Sequence, residues 1–311
     1  MTMASLERSD AAWAEMAAPP GEFVPEAVAR QPRARERLDI RRQLELDREL
    51  IFAHIFVSLD GGPVRTIING LHNKPTGREY MIKSAFRAAP WESMRGERSF
   101  MRLCEVASPV RSYLAQPHRL EMQIIGDIDR WVYFPDARIE VDEGFADMLK
   151  RGVPFAEAVA DWHPDMTLGR DAVLLVEIKT DKDRRAQDDL YRAKLGLARE
   201  VYERLGWQFA EVLTSRDLAV PKIERAVHEM CLDHDTSITA EDVRVARECT
   251  GSGVDLGQLI TELGGRPLGM AKAAALHVRR VISLGLEEGL AEHTAVHLVP
   301  AGQDLFGVMR K

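Results

Sequence analysis

The stretch AVLLVEIK, residues 172–179, has the length and composition of a strand that is buried on both faces of a sheet. Residues i and i+2 of a strand point to the same face. Glu177 and Lys179 are therefore expected to share one face, and Val176 and Ile178 the other. A carboxylate and an ammonium in an apolar strand are costly unless they are paired or bind something.

The segments around this strand predict a mixed α/β sheet flanked by helices. Strand character is found in residues 110–114, 119–125, 130–141 and 208–213, with a turn at residues 126 and 127. A helix is expected from Trp91 to residue 107, and a long one over residues 186–205. Residues 51–90 contain Gly and Pro turn signals and are expected to be irregular.

Three units are predicted along the 311 residues. Residues 1–50 are rich in Ala, Pro, Arg and Glu, and residues 30–50 alternate in charge, so an N-terminal solvated helix or arm is expected. Residues 51–220 form the α/β domain, with residues 142–170 as a partly helical insertion. Residues 221–311 are largely helical in pattern, with helices over 222–232, 255–263 and 267–284, a capped helix start at Thr239 and a small hairpin within 286–299. This order suggests a winged-helix module.

Composition narrows the class of protein. Hydrophobic residues make up 45% and charged residues 29%, as in globular proteins, and no apolar run approaches the roughly 20 residues of a membrane span. No secretory signal is recognisable, so a cytoplasmic location is expected. The three cysteines contain no CxxC pair, which argues against a structural zinc site or a disulfide framework.

The distribution of charge suggests brief or assisted contact with DNA. The net charge of −7 argues against a protein that coats nucleic acid by charge alone. Residues 60–119 nevertheless hold ten Lys or Arg against five Asp or Glu, whereas residues 221–311 hold ten against thirteen. A locally basic surface on an acidic protein fits an enzyme that touches DNA briefly or is brought to it by a partner.

Acidic residues near the central strand suggest metal-dependent chemistry. Asp136 follows Pro135 within the strand predicted at 130–141, and Glu177 and Lys179 end the central strand. Hydrolysis of a phosphodiester needs a positioned Mg²⁺, which prefers carboxylate oxygens. A lysine beside the ion can orient the attacking water and offset developing charge.

Glu97 is the candidate for a third carboxylate. In the helix after Trp91 it shares a face with Phe100, Met101 and Cys104, at helical spacings. An acidic residue on an apolar helix face is rare unless it is used, so Glu97 is expected to lean over the same metal.

A structural explanation of these residues also exists. A bare Asp…Glu-x-Lys pattern is common, and surface strands carry Glu-x-Lys for cross-strand charge pairing. The context favours a nuclease: Pro-Asp in a strand, Glu-x-Lys at the end of an apolar strand, a long helix after it and an acid in a helix before it.

These residues resemble the PD-(D/E)xK nuclease superfamily, and more narrowly the TnsA endonucleases of heteromeric cut-and-paste transposases. The likeness covers about 125 residues, more than a third of the chain. It runs through Trp91, Glu92, Ser93, Glu97, Gln116, Pro117, Tyr133, Phe134, Pro135, Asp136, Val176, Glu177, Ile178 and Lys179, and ends near Gly206, Trp207, Leu213 and Thr214.

The resemblance implies a restriction-endonuclease-like mixed sheet and a Mg²⁺-dependent DNA endonuclease, with Mn²⁺ able to substitute. The metal-binding acids fall on Glu97, Asp136 and Glu177, and the lysine on Lys179. It further implies cleavage at the 5′ ends of a transposon, a DDE-type transposase partner with an ATPase regulator as a further candidate, and a helical or winged C-terminal domain that contacts partners.

Several polar residues flank the candidate site in sequence. Gln116 could contact the site or DNA, or could cap the strand before Pro117. Arg95, Arg98 and Lys182 are candidates for phosphate contacts, against the alternative of solvated surface charge. His163, His228 and His234 match no helical metal-binding pattern and are expected to be surface or core residues.

Two other functions remain open from the sequence. One is a stand-alone restriction or repair nuclease whose C-terminal module reads DNA. The other is a DNA-binding or regulatory protein with an inactive nuclease fold. Because residues 221–311 carry excess acid and the 267–284 helix is mostly apolar, this region is expected to dock a protein rather than DNA. Its removal is expected to leave the nuclease fold intact.

Overall fold

The structure, a computed structural model, is a mixed α/β fold with several sheets and flanking helices. It describes residues 38–40, 50–65, 75–124, 130–166, 169–181, 183–287 and 289–300. The strands are β1 (Leu38–Ile40), β2 (Leu50–Val57), β3 (Gly77–Tyr80), β4 (Ala88–Trp91), β5 (Val110–Ala115), β6 (His118–Ile124), β7 (Trp131–Tyr133), β8 (Ala137–Asp142), β9 (Asp171–Lys179), β10 (Gln208–Leu213), β11 (Ile282–Leu284) and β12 (Val296–Leu298). The helices are α1 (Glu97–Val106), α2 (Glu143–Lys150), α3 (Phe155–Asp161), α4 (Asp189–Arg204), α5 (Pro221–Asp233), α6 (Ala240–Gly251), α7 (Leu256–Glu262) and α8 (Leu268–Val278).

Strand β9 is central, as its apolar sequence predicts. The sheet that contains it has the order β10-β9-β8-β5. Strand β10 runs parallel to β9, and β8 runs antiparallel to it. The sheet therefore surrounds the residues 172–179 with hydrogen-bonded neighbours on both sides.

The two faces of β9 enter two different cores. Leu174, Val176 and Ile178 belong to the larger core, which also holds residues of α1, α2 and α3. Leu175 belongs to a second core with Tyr202 of α4 and with residues of β2 and β6. Burying a Leu or Val side chain contributes about 1.5–3 kcal/mol, so this alternation fixes the register of the strand. The predicted division of faces is confirmed.

A second sheet, of order β1-β2-β6-β7, corrects the expectation that residues 51–90 are irregular. Strand β2 has the sequence LIFAHIFV and alternates between buried Ala53 and Ile55 and half-buried neighbours. Such β-branched and aromatic residues favour a strand. Strands β3 and β4 pair in the same region, and Gly77 is the first residue of β3 rather than part of a turn.

Helix α1 begins at Glu97 and not at Trp91. Trp91 is the last residue of β4, and its ring packs so closely on Gly77 that a Cβ there would lie 2.5 Å from it. The chain then turns, with the Gly96 N–H donating to Ser93 Oγ at 3.1 Å. The helix ends at Val106, in agreement with its predicted end.

The strand predicted over residues 130–141 is two strands in different sheets. Strand β7 pairs with β6, and β8 pairs with β9. Pro135 lies between them, and proline supplies no N–H to a ladder. Asp136 consequently lies in a bend before β8 rather than within a strand. The turn predicted at residues 126 and 127 lies outside the described residues.

Residues 142–170 are partly helical, as predicted, and they contribute to the larger core. Asp142 caps α2 by accepting the N–H of Gly144 at 2.9 Å. Phe145 of α2 and Phe155 of α3 are buried, with ring centroids 5.3 Å apart. These aromatic side chains bind the segment to the sheet.

The C-terminal region is helical and ends in a hairpin. Thr239 and Asp242 form the predicted capping box at the start of α6. Helix α8 ends at Val278, not at residue 284, because Arg280 adopts the left-handed conformation (φ 59°) and breaks the helix. The following strand, β11, pairs antiparallel with β12.

This region shares the larger core with the α/β part. Helix α1 packs against both α5 and α8. His277 Nε2 lies 2.6 Å from Val106 O, and Ser283 Oγ donates to Ser108 Oγ at 2.8 Å. The expectation that residues 221–311 can be removed without damage therefore conflicts with the packing. The boundaries at 50 and 220 remain predictions.

Two expectations about the whole chain can be compared with the described part. Within those ranges, no helix combines the length and apolar character needed to cross a membrane. Cys104, Cys231 and Cys249 are free thiols. The predicted arm at residues 1–50 lies outside the described residues, apart from β1 and Leu50, and these are strand rather than helix.

Candidate active site

Glu177 and Lys179 lie at the carboxyl end of β9 on the face that carries Leu175. Both are buried: Glu177 is 3% exposed and Lys179 is 9% exposed. Buried charges of this kind require partners. Lys179 Nζ is 2.7 Å from Glu211 Oε2 on β10, and Arg199 Nη2 is 3.0 Å from the other oxygen of Glu211.

Asp136 lies opposite Glu177. Ala137 pairs with Val176 in the antiparallel register, so the next facing pair is Asp136 and Glu177. The Asp136 N–H donates to Val176 O at 3.0 Å, and Asp136 Oδ2 accepts the Ile178 N–H at 2.8 Å. The side chain thus takes the place of a backbone acceptor where the ladder ends.

A row of polar residues crosses the ends of the strands. The Gln116 N–H donates to Asp136 O at 2.9 Å, which places Gln116 beside Asp136. On the other side, Glu177 is paired with Glu211 in the parallel register. The strand ends therefore bring together Gln116 after β5, Asp136 before β8, Glu177 of β9 and Glu211 of β10, which are far apart in sequence.

Glu97 approaches from α1. It is the first residue of that helix, it is 9% exposed, and its Oε2 accepts the Glu92 N–H at 2.7 Å. The start of α1 touches β9, since a Cβ on Gly96 would lie 3.3 Å from Ile178 Cγ2. Phe100, Met101 and Cys104 on the same face are buried, which confirms the predicted face.

Electrostatics shows that the three acids act on one another. The pKa of Glu97 is raised to about 7, chiefly by burial; the charges of Glu92 and Glu177 contribute to the rise, while the hydrogen bond from the Glu92 N–H and the charge of Arg65 oppose it. Burial, then the charges of Glu177 and Glu97, raise the pKa of Asp136 well above its usual range. Burial also raises the pKa of Glu177, against hydrogen bonds from tyrosines. Asp136 therefore faces Glu177, and Glu97 lies within electrostatic range of both.

Two tyrosines engage the Glu177 carboxylate. The Tyr133 hydroxyl donates to Oε2 at 2.8 Å, and the Tyr191 hydroxyl donates to Oε1. Lys179 Nζ lies 5.1 Å from the centroid of the Tyr191 ring. Sequence reasoning did not assign a role to either tyrosine. Tyr133 lies in the quoted Tyr-Phe-Pro-Asp segment, but Tyr191 is brought in only by the packing of α4.

The donor chemistry of these acids fits a hard divalent cation, which prefers several carboxylate oxygens. Among the residues that the structure describes, however, no three His, Cys, Asp or Glu side chains form a group that could hold a metal ion as they stand. Hydrogen bonds within the protein engage both oxygens of Glu177 and one oxygen each of Asp136 and Glu97. These hydrogen bonds occupy one lone pair on each of those oxygens, so the carboxylates would have to reorient to share one ion.

Gln116 is buried beside the site in a left-handed conformation (φ 46°), which is uncommon for a residue with a side chain. Its Oε1 accepts from Arg65 Nη1 at 3.2 Å, and Arg65 Nη2 is 3.2 Å from Glu92 Oε1. Gln116 and Glu92 thus hold the Arg65 guanidinium near Glu97. Sequence reasoning assigned no role to Arg65, because it lies in the segment expected to be irregular.

The flanking cations behave differently from one another. Arg98 Nε forms an ion pair with Glu79 at 2.7 Å, away from the acids. Arg95 is exposed and lines a cleft of about 670 Å³ between α1, the end of β10 and α5. Lys182 lies outside the described residues. Arg185, which no motif singled out, lowers the pKa values of both Asp136 and Glu177 through its charge.

The cations of α8 and its end are engaged within the protein. Lys272 Nζ is 2.7 Å from Asp242 Oδ1, Arg279 Nη1 donates to His234 O at 2.8 Å, and Arg280 is buried. Of the three histidines singled out in the sequence, His163 Nε2 is 3.4 Å from Glu287 Oε1, His234 Nδ1 is 2.8 Å from Cys231 O, and His228 is exposed. This helix therefore offers no basic face to solvent within the described residues.

Comparison with known proteins assigns no family to this chain. No family model matches the chain, and no curated protein matches it. The fold and the site define, from the chain's own residues, a mixed α/β protein in which buried Glu97 and Glu177 and half-buried Asp136 influence one another beside a lysine at the ends of its central strands.

Proposed function

We propose that the chain is a metal-dependent DNA endonuclease. The observation that supports the proposal is that Asp136 faces Glu177 beside Lys179, and that Glu97, Asp136 and Glu177, from a helix, a bend and a strand, influence one another's ionisation. Acids that raise one another's pKa are unfavourable in a merely structural role, because each makes ionisation of the others harder. A bound cation would offset that cost.

Each residue then has a distinct role. Glu97, Asp136 and Glu177 would hold Mg²⁺, or Mn²⁺ in its place. When bound, the ion would polarise the scissile phosphate and lower the pKa of a water. Lys179 shares the face of Glu177 and would donate a hydrogen bond to the attacking water or to a phosphate oxygen. Glu211 holds that ammonium at 2.7 Å and so positions it.

Two arginines beside the acids fit the backbone of a DNA strand. Arg65 is held by Gln116 and Glu92, and Arg185 is held by Asp183 through two hydrogen bonds. A guanidinium held in this way loses less freedom when it binds a phosphate. Such contacts would position the strand without reading its sequence.

The fold proposal is restriction-endonuclease-like, with a winged-helix module at the C terminus. The order α6, α7, α8 and hairpin, with an extra bridge between Asp255 and Ala295, supports the winged-helix part. Because α8 is largely buried and its cations are engaged, we assign this module to protein docking rather than to groove reading.

The biological setting rests on the likeness to TnsA endonucleases. We propose cleavage of the 5′ strands at transposon ends, in complex with a DDE-type transposase that cuts the 3′ strands and with an ATPase as a candidate regulator. The net charge of −7 supports a need for partners, because DNA affinity depends on phosphate contacts by Lys and Arg.

A cleavage assay separates these functions. End-labelled duplex that contains a transposon end is incubated with the full chain and Mg²⁺, with and without the transposase of the same element. Cleavage of the 5′ strand only with the transposase is the expected result. Cleavage by the chain alone would favour a stand-alone nuclease. DNA binding without cleavage under both conditions would favour an inactive regulatory protein and would overturn the enzymatic proposal.

A further inference from the structure

The two tyrosines on Glu177 occupy different environments. Tyr133 is 4% exposed, belongs to the second core and packs against Phe209 with ring centroids 6.3 Å apart. Its hydroxyl is therefore fixed. Tyr191 lies in the first turn of α4, is only half-buried and directly follows the exposed residues 187–190. Its hydroxyl is the one that can leave.

Oxygen Oε1 of Glu177 is the atom over which Tyr191 and a cation would compete. An ionised carboxylate oxygen has two lone pairs, and a hydroxyl donor occupies one that could otherwise be directed at an ion. With Tyr133 on Oε2 and Tyr191 on Oε1, both oxygens of Glu177 serve hydroxyl donors. Release of Tyr191 is the smallest change that returns an oxygen of Glu177 to the neighbouring acids, since it leaves the core in place.

Tyr191 also contacts the cations of the site. Lys179 Nζ lies 5.1 Å from its ring centroid, and Arg185 Cζ lies 4.9 Å from the same centroid. A cation over an aromatic face is attracted to it. A shift of the Tyr191 ring would therefore remove a favourable contact from both the Lys179 ammonium and the Arg185 guanidinium. One side chain thus connects Glu177, Lys179 and Arg185.

We propose that Tyr191 is a latch residue, whose hydroxyl holds Glu177 Oε1 in a closed state and competes there with a divalent cation. The proposal rests on the proposed metal-dependent function. It predicts that loss of the Tyr191 hydroxyl increases metal affinity, whereas loss of a residue that supports a metal ligand decreases it. Loss of a hydrogen bond that orients a ligand weakens metal binding, often 10- to 100-fold, whereas loss of a competing hydrogen bond strengthens it.

The test measures Mn²⁺ affinity of the full chain by titration calorimetry, with no DNA and no activity readout. The variants are Tyr191→Phe, the control Tyr80→Phe and the site control Asp136→Asn. Tyr80 is half exposed and packs against His234, remote in sequence from the acids. We expect Tyr191→Phe to bind Mn²⁺ about tenfold more tightly than wild type, which corresponds to one hydrogen bond to a charged group. Tyr80→Phe should match wild type.

The outcomes are distinguishable. Tighter binding by Tyr191→Phe that disappears when Asp136→Asn is added supports the latch, even where wild type binds too weakly to measure. Equal or weaker binding by Tyr191→Phe, beside measurable wild-type binding, overturns the latch and leaves the metal site standing. Absence of Asp136-dependent binding in both wild type and Tyr191→Phe overturns the latch together with the proposed metal site.

Discussion

Replacing Glu97 by Gln should stabilise the metal-free protein at alkaline pH. The pKa of Glu97 is raised from 4.5 to about 7, chiefly by burial. The folded protein therefore holds this proton more tightly than the unfolded chain does, and ionisation of Glu97 opposes folding. The cost is fully present above pH 7 and disappears as pH falls from 7 towards 4.5.

The size of the effect follows from the two pKa values. A difference of one pKa unit is worth 1.36 kcal/mol, so the difference between 7 and 4.5 corresponds to about 3 kcal/mol above pH 7. At pH 5 less than about 1 kcal/mol of this cost remains. Gln keeps an oxygen that can accept the Glu92 N–H, so the substitution removes the charge and retains the hydrogen bond.

Urea unfolding at pH 5 and pH 8 in the presence of a chelator measures the effect. We expect Glu97→Gln to gain about 2–3 kcal/mol over wild type at pH 8 and about 1 kcal/mol or less at pH 5. Glu203→Gln, on the exposed side of α4, is the control and should change stability by less than about 0.5 kcal/mol at either pH. A Glu97→Gln effect that is absent at pH 8, or equal at the two pH values, would refute the reasoning.

Three further predictions concern packing and chemistry. Gly269→Ala should destabilise the chain by about 2 kcal/mol or more in urea unfolding, because its Cβ would lie 2.1 Å from Ile260 O, whereas Gly196→Ala, with open space around it, should not destabilise it. A chain truncated after residue 220 should be poorly soluble and lack a cooperative unfolding transition, because α5 and α8 cover α1; a soluble fragment with a sharp transition would contradict this. Lys179→Met should lower the rate of Mg²⁺-dependent cleavage at least about 100-fold while Mn²⁺ affinity stays within a few-fold, and a parallel loss of both would argue against its catalytic role.

The parts of the fold that follow local patterns could be predicted from the sequence. Strand β9 is recognisable because its apolar run alternates between two cores, and this alternation also places Glu177 and Lys179 on one face. The capping box at Thr239 is a local signal and was predicted correctly. Such features depend on residues a few positions apart.

Other elements could not be predicted from the few residues around them, because tertiary contacts decide where they begin and end. Trp91 has the character of a helix start, yet it ends β4 because its ring covers Gly77, which is a tertiary contact. Residues 130–141 look like one strand, and only Pro135 indicates the break that sends β7 and β8 to different sheets. Strand β2 has a strand-like sequence, but the glycines and proline at 61–63 that follow it are typical of irregular structure and obscure this signal.

In the candidate site, too, some residues could be predicted from the local sequence and others could not. The acids could be chosen from their positions in apolar segments. Their partners could not, because Tyr191, Glu211 and Arg65 reach the site through the packing of α4, the parallel register of β10 and the loop before Gln116. The hydrogen bonds that these partners make decide whether the acids can receive a cation, and no spacing along the chain encodes them.

Cleavage by Asp136→Asn is the most direct test of the central claim. Asn can still accept the Ile178 N–H, so the bend before β8 should persist, while the charge that faces Glu177 is lost. With Mg²⁺, end-containing DNA and the transposase, we expect wild type to cut the 5′ strand and Asp136→Asn to cut it at least about 100-fold more slowly. Its unfolding temperature should be equal to or above that of wild type. Cleavage by Asp136→Asn at the wild-type rate would contradict the assignment of this site as catalytic.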